Sequence, residues 1–154
     1  MRVNPYPMNT SIASLLDGKG RALHAVPVNV TVFEAVQKMN QHRIGAVLVM
    51  NGESLAGIFT ERDVLIRVIA ASLDPRATPV RQVMTANVLT VEPEATVQQV
   101  MEIFADKRCR HLPVVRDGKL LGLISIGDVS RWLANAHRTE AESLRQYVAG
   151  ALTT

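Results

Sequence analysis

Long hydrophobic runs, cysteine, aromatic residues and dense charge are all scarce in this sequence, and each scarcity removes a class of protein. No run of 18 uncharged apolar residues occurs in the 154, so no segment reads as a membrane-spanning helix. Met1 to Thr10 has neither the charged start nor the apolar stretch of a secretory signal. Cys109 is the single cysteine, which excludes an intrachain disulfide and points to a reducing, cytoplasmic setting. Aromatics are only 4% of the chain, so a core must be built from Val, Ile, Leu, Ala and Met. Net charge is +3 with no block of five basic residues, so the basic stripe expected of a nucleic-acid binder is missing. A mild positive charge still suits a small phosphate-bearing ligand. The four histidines are scattered, and Cys109 with His111 has no further Cys/His cluster beside it, so no metal is expected. The P-loop lysine and the dinucleotide Gly-x-Gly-x-x-Gly are absent, and Gly122 to Gly127 has the wrong spacing for a nucleophile elbow. With no general base, metal cluster or partnered nucleophile, an enzyme is not expected.

What the sequence does contain is an internal repeat. Thr31-Val32 recurs as Thr96-Val97, Gly57 as Gly122 and Asp63-Val64 as Asp128-Val129, all at a spacing of 65. Val26, Arg43, Val49 and Leu55 find Val91, Arg108, Val114 and Leu120 at the same spacing. Two lead-in segments repeat at 68: Ile12, Leu15 and Leu16 against Val80, Val83 and Met84, each at the i, i+3, i+4 positions of a helix face.

Within each repeat the pattern predicts β-α-β-β-α. Leu23–Pro27 and Val88–Glu92 read as short strands. Thr31 and Thr96 start helices whose apolar faces carry Val32, Ala35, Val36 and Met39, then Val97, Val100, Met101 and Phe104. Ala46 to Met50 is an uninterrupted apolar run, as in a strand covered on both faces, and Leu112 to Val115 is its twin. Asn51-Gly52 and Asp117-Gly118 signal tight turns into strands ending at Thr60 and Ser125. Helices follow from about Glu61 and Ile126. Thr139 and Glu142 form a capping box, and Leu144, Tyr147, Val148 and Ala151 a stripe suited to a subunit contact. The resulting division is an N-terminal arm and lead-in over 1–22, a first repeat over 23–73, a linker and lead-in over 74–87, a second repeat over 88–137 and a C-terminal helix over 138–154.

Each second strand ends in one device: Gly57-Ile-Phe-Thr60-Glu-Arg-Asp63 and Gly122-Leu-Ile-Ser125-Ile-Gly-Asp128. A strand-to-helix junction gathers free amides and the positive end of the helix dipole, which favours a phosphate. The hydroxyl can donate to that phosphate, and the carboxylate can accept from a ribose diol. The same residues also read as helix N-caps. Against that reading, the third helical residue is Asp rather than Glu or Gln in both copies, and the recurrent glycine removes a side chain beside the same spot. Arg62, Arg67 and Arg131 read as solvated helix charges, with Arg62 also within reach of a phosphate.

These pieces, with the Arg110-His-Leu-Pro-Val-Val115 strand and the Val83-Met84-Thr85 lead-in, resemble the cystathionine-β-synthase (CBS) domain pair, or Bateman module, of the small stand-alone bacterial type. The resemblance runs from Leu23 to about Ala136. It implies an α/β (α+β) fold of two tandem βαββα repeats with pseudo-two-fold symmetry, each behind a short lead-in helix. It implies a regulatory module that binds AMP, ADP or ATP between the repeats. NAD or S-adenosylmethionine replaces them in some members. It also implies a homodimer acting on a separate effector protein. Carried over to this chain, Asp63 would hold a ribose and Thr60 the phosphate side, with Ile44, Gly45 and Ala46 lining the adenine and Val28 opposite. In a second site Asp128 and Ser125 take those roles, with Cys109, Arg110 and His111 near the base and Pro93 opposite. Gly45-Ala46 stands where the second repeat has Arg110-His111, so the two sites are expected to differ. A ligand-free dimerisation scaffold remains the alternative.

Overall fold

The chain folds as two similar halves, each completed by a segment that precedes the other; the computed structural model describes residues 7–19 and 23–152. In chain order the elements are α1 (Ile12–Lys19), β1 (Ala25–Pro27), α2 (Val32–His42), β2 (Ala46–Asn51), β3 (Ser54–Thr60), α3 (Glu61–Asp63), α4 (Val97–Lys107), β4 (His111–Arg116), β5 (Lys119–Ser125) and α5 (Ile126–Leu152). Short 3₁₀ turns cover Pro7–Asn9 and Val80–Gln82. Thr31 caps α2 through a reciprocal box with Glu34, and Thr96 caps α4 through one with Gln99. Each box satisfies two amides that a helix start leaves orphaned.

β1 lies parallel to β2, and β2 is antiparallel to β3. β4 pairs with β5 in the same way as β2 with β3. Alternate residues of β2 serve two cores. Val47 and Val49 pack with Val32, Ala35 and Phe59 in the first repeat. Ala46 and Leu48 face the second repeat through Leu120 and Leu123. That double duty is why the Ala46–Met50 run has no polar position before its end.

The strand expected over Val88–Glu92 shrinks to one bridge, Val91 to Val114. Two prolines explain it. In the first repeat Leu48 N–H bonds His24 carbonyl and Val28 N–H bonds Met50 carbonyl, at 3.0 and 3.1 Å. The equivalents of Leu48 and Val28 are Pro113 and Pro93, which have no N–H to give. Only the two middle rungs survive, Val91 N–H to Pro113 carbonyl and Val115 N–H to Val91 carbonyl.

Two further expectations are corrected. The C-terminal helix is not separate: α5 is continuous, and Thr139 lies inside it with its hydroxyl donating to Asn135 carbonyl at 3.0 Å. No glycine or proline between Val129 and Ala149 breaks the helix, so extending it costs less than starting another. In the first repeat, α3 is one turn and the chain then widens into a π-helix over Val64–Ile69. β-Branched residues at 64, 66, 68 and 69 lower the α preference there.

The lead-ins cross. Ile12, Leu15 and Leu16 are buried with Val97, Val100, Leu112 and Ile124 of the second repeat. Val80 and Val83 are buried with Val26, Val32 and Phe59 of the first. Matching backbone bonds anchor both: Val32 N–H to Thr78 carbonyl and Val97 N–H to Thr10 carbonyl, at 2.9 and 3.0 Å. Thr85 then bonds Ile58 in both directions and covers the free edge of β3.

This crossing explains the recurrent glycines. A Cβ at Gly57 would stand 2.6 Å from Thr85 carbonyl oxygen and 2.7 Å from Met84 sulfur. One at Gly122 would stand 2.6 Å from Leu16 Cδ2. The space they leave is filled by the lead-ins, not kept open for a ligand. Gly57→Ala is therefore expected to destabilise the fold by about 1–3 kcal/mol, and Gly122→Ala by less, because a leucine tip moves aside and a carbonyl does not. Urea unfolding followed by Trp132 fluorescence measures both.

Candidate functional site

Both junction carboxylates turn back onto their own backbone. Asp63 Oδ2 accepts from Thr60 N–H at 3.0 Å, and Asp63 N–H donates to Thr60 Oγ1 at 3.3 Å. Asp128 and Ser125 repeat the arrangement at 2.9 and 3.1 Å. Glu61 N–H is taken by Gly45 carbonyl and Ile126 N–H by Arg110 carbonyl, both at 3.0 Å. The amides that the sequence pattern offered to a phosphate are therefore largely satisfied, and the cap reading describes these residues correctly as far as it goes. A phosphate here would have to be met by side chains.

Room nevertheless exists beside Asp63. A cavity of about 940 Å³ opens between the repeats, at the upper end of the range usual for small-molecule sites. One wall is the β3 junction: Ile58, Thr60, Glu61, Arg62, Asp63 and Leu65, with Gly45 beside them. The second wall is the crossing segment at Thr85, Asn87, Val88 and Leu89. The third is the end of α4 and the start of β4: Lys107, Arg108, Cys109, Arg110 and His111. Asp63 is 8% exposed, and its carboxylate keeps acceptor capacity after the single amide bond. Its other oxygen faces Arg67 Nε at 3.6 Å. Arg67 is thus no solvated bystander: it also donates to Met84 carbonyl at 2.9 Å.

The residues expected at two sites are regrouped by the fold. Thr60, Arg62, Asp63 and Gly45 line the cavity together with Cys109, Arg110 and His111, which the resemblance had placed with Asp128. Ala46 is buried in the contact between repeats, while Ile44 and Val28 pack on the first core, outside the lining. Pro93 is buried under α1, its carbonyl accepting from Ala13 N–H at 3.0 Å. Ser125 and Asp128 also lie outside this lining, with Ser125 paired across the sheet to His111. Sequence reasoning missed Ile58, Glu61, Leu65, Thr85, Asn87, Val88, Leu89, Lys107 and Arg108. The last two were legible: Lys107-Arg108-Cys109-Arg110-His111 is the densest basic stretch of the chain.

The cavity lining carries charges of both signs. Glu61 and Asp63 stand on the first wall with Arg62 beside them, and Lys107, Arg108 and Arg110 on the third. Burial lowers the His111 pKa, with Lys19 adding to the effect and Asp128 opposing it, so the imidazole is neutral near pH 7. Burial pushes the Cys109 thiol up, so it is not a ready nucleophile. Burial alone would raise Asp128, but the hydrogen bonds from Lys19 and Ser125 outweigh it and hold the carboxyl below its ordinary value. Among the described residues no group of three or more His, Cys, Asp or Glu stands close enough to hold a metal, and no helix is long and apolar enough to cross a membrane.

Comparison with known proteins agrees with this architecture. The family model for the CBS domain matches twice, over residues 20–70 and 80–135. The CBS domain-containing protein CBSX3, mitochondrial, of Arabidopsis thaliana is 37% identical over 151 residues, covering 92% of this chain and 73% of that protein. The crystal structure of a CBS-domain containing protein from Agrobacterium tumefaciens superposes with a TM-score of 0.76 at 40% identity, covering 79% of this chain and 98% of the other. A CBS domain protein from Pyrobaculum aerophilum, solved in complex with AMP, gives 0.69 at 25% identity, covering 81% and 98%.

The shifts fix an acid response. His111 and His24 both have lowered pKa values, so the unfolded chain takes up protons first as pH falls below about 6.5, and stability present above that value is lost. Asp128, with its lowered pKa, contributes stability above about 3.9 that is lost as pH falls through its folded value. Melting temperature is thus expected to drop in two stages. His111→Asn should flatten the first stage and Asp128→Asn the second, as thermal melts from pH 8 to pH 3 would show.

Proposed function

The chain belongs to the CBS domain family, with two copies in tandem, and on that premise we propose that the cavity beside Asp63 binds an adenine nucleotide and that its occupancy regulates a separate protein. The single observation that carries this reading is one cavity lined both by Asp63 of the first repeat and by the Lys107–His111 stretch of the second. A ribose diol donates hydrogen bonds, which suits a carboxylate such as Asp63. A phosphate carries negative charge, which suits the basic wall of Lys107, Arg108, Arg110 and the nearby Arg62. Apolar Ile58, Val88 and Leu89 supply the flanks an adenine ring needs. AMP offers one diol and one phosphate to these groups, ADP and ATP add further phosphates, and NAD has the same adenosine half. The AMP complex of the Pyrobaculum aerophilum relative supports this choice of ligand.

The reading is of a sensor rather than an enzyme, working in the cytoplasm. A regulator needs a way to pass occupancy outward, and exposed apolar side chains supply the surface. Leu65, Ile66 and Ile69 on the π-helix are 61%, 53% and 64% exposed, and Leu65 also lines the cavity. Leu144, Tyr147 and Val148 form a second stripe on α5. A homodimer that covers either stripe would couple ligand to assembly, provided the ligand binds the two arrangements unequally.

One observation favours the scaffold alternative: both carboxylates already serve as caps. The two readings separate cleanly. Calorimetric titration is expected to give saturable binding of AMP, ADP or ATP. Asp63→Asn, which keeps an oxygen for Thr60 N–H, should weaken binding at least about tenfold, the worth of one hydrogen bond to a charged group. Arg110→Ala should weaken AMP but not adenosine. No heat and no melting shift with any of these or NAD at millimolar concentration would leave the scaffold.

A further inference from the structure

The two junctions are nearly equal in sequence and unequal in structure. Asp63 borders the cavity, with one amide on Oδ2 and Arg67 at 3.6 Å from Oδ1. Asp128 holds three donors. Lys19, at the end of α1, reaches across to put Nζ 2.6 Å from Asp128 Oδ2 and 2.8 Å from Leu123 carbonyl. Ser125 N–H shares Oδ2 at 2.9 Å, and Arg131 Nη2 donates to Oδ1 at 2.7 Å. The two side chains are similarly buried, 8% exposed for Asp128 and 11% for Asp63, so the junctions differ in their partners rather than in burial.

The repeat shows where the difference comes from. The lead-ins match at a spacing of 68 as far as Leu16 and Met84; beyond that the first carries Lys19, and the segment passing Asp63 carries Asn87. Asn87 lines the Asp63 cavity and has a short, uncharged side chain. Lys19 has the reach and the charge to take the carboxylate opposite it. A ribose diol arriving at Asp128 would need the oxygens that Lys19, Ser125 and Arg131 already hold. We infer that Lys19 is an internal occupant of the second junction, an autoinhibitory contact that leaves one open ligand site per chain. The Lys19 side chain is 37% exposed, so it is displaceable rather than locked in. This rests on the nucleotide reading for its ligand, but the contact itself is testable without one.

Two measurements on the full chain test it. The first is ligand-free: acylation of lysines by an amine-selective reagent, read by mass spectrometry. Lys19 is expected to react more slowly than exposed Lys119 and to catch up in Asp128→Asn. Equal rates in the parent protein would overturn the contact whatever nucleotides do. The second is AMP titration in the Asp63→Asn background, which weakens the open site. Adding Lys19→Met, which keeps the aliphatic stem and removes the donors, is expected to tighten the remaining binding about tenfold, the worth of one charge-assisted hydrogen bond. The parent protein is expected to bind one AMP per chain. Two equal AMP sites in the parent, or no gain from Lys19→Met, would overturn the proposal. AMP bound by no variant while Lys19 stays protected would overturn both the nucleotide reading and the ligand half of this one, leaving only the ion pair.

Discussion

The crossing of the lead-ins is the constraint on which the rest depends. Backbone bonds hold it, among them Ile12 N–H to Ala95 carbonyl, Val80 N–H to Val30 carbonyl, and the Val32–Thr78 and Val97–Thr10 pair. Neither repeat has a complete core by itself. Ile12 and Val80, both with no exposed surface, each fill the core of the repeat they do not precede. Removing a fully buried aliphatic of this kind costs about 2–5 kcal/mol, a large part of the stability of a small domain. The exchange also determines where the connection between repeats can run. Once Thr85 is bonded to Ile58, Asn87 to Leu89 have to pass beside the β3 junction, and the cavity has its second wall.

Asymmetry then arises from small differences on a symmetric frame. Prolines 93 and 113 take two rungs from the second sheet, where Val28 and Leu48 keep them in the first. Arg110-His111 stands where the first repeat has Gly45-Ala46, so the basic wall belongs to one half and faces the carboxylate of the other. Lys19 gives Asp128 an ammonium partner, while Asp63 keeps an edge on the cavity. A duplicated sequence thereby yields one open junction and one occupied one.

Much of this was legible before any coordinates. The 65-residue spacing predicted both repeats, both helix-capping threonines and both hairpins, because each rests on local chemistry. The apolar run of Ala46–Met50 implied cover on two faces, which the fold gives from Ala46 to Val49. What the sequence hid was contact between distant segments. Periodicity identified Ile12, Leu15 and Leu16 as a buried face but not which repeat buries it, so Gly57 and Gly122 were read as space for a ligand rather than for Met84 and Leu16. The same blindness divided Asp63 from Arg110 and His111, which share one cavity, and treated Arg67 and Arg131 as solvated when each meets a junction carboxylate. Thr139 misled for a different reason: a capping pair inside an unbroken helical stretch does not start a helix.

We propose that one adenine nucleotide lies between the carboxylate of the first repeat and the basic wall of the second. The most direct test is the electron density of a crystal grown with AMP. The expected result is a nucleotide whose ribose hydroxyls bond Asp63, with its phosphate toward Arg108, Arg110 and His111, and with Lys19 still on Asp128. A nucleotide seated at Asp128 with the Asp63 cavity empty, or a phosphate turned away from that basic wall, would contradict it.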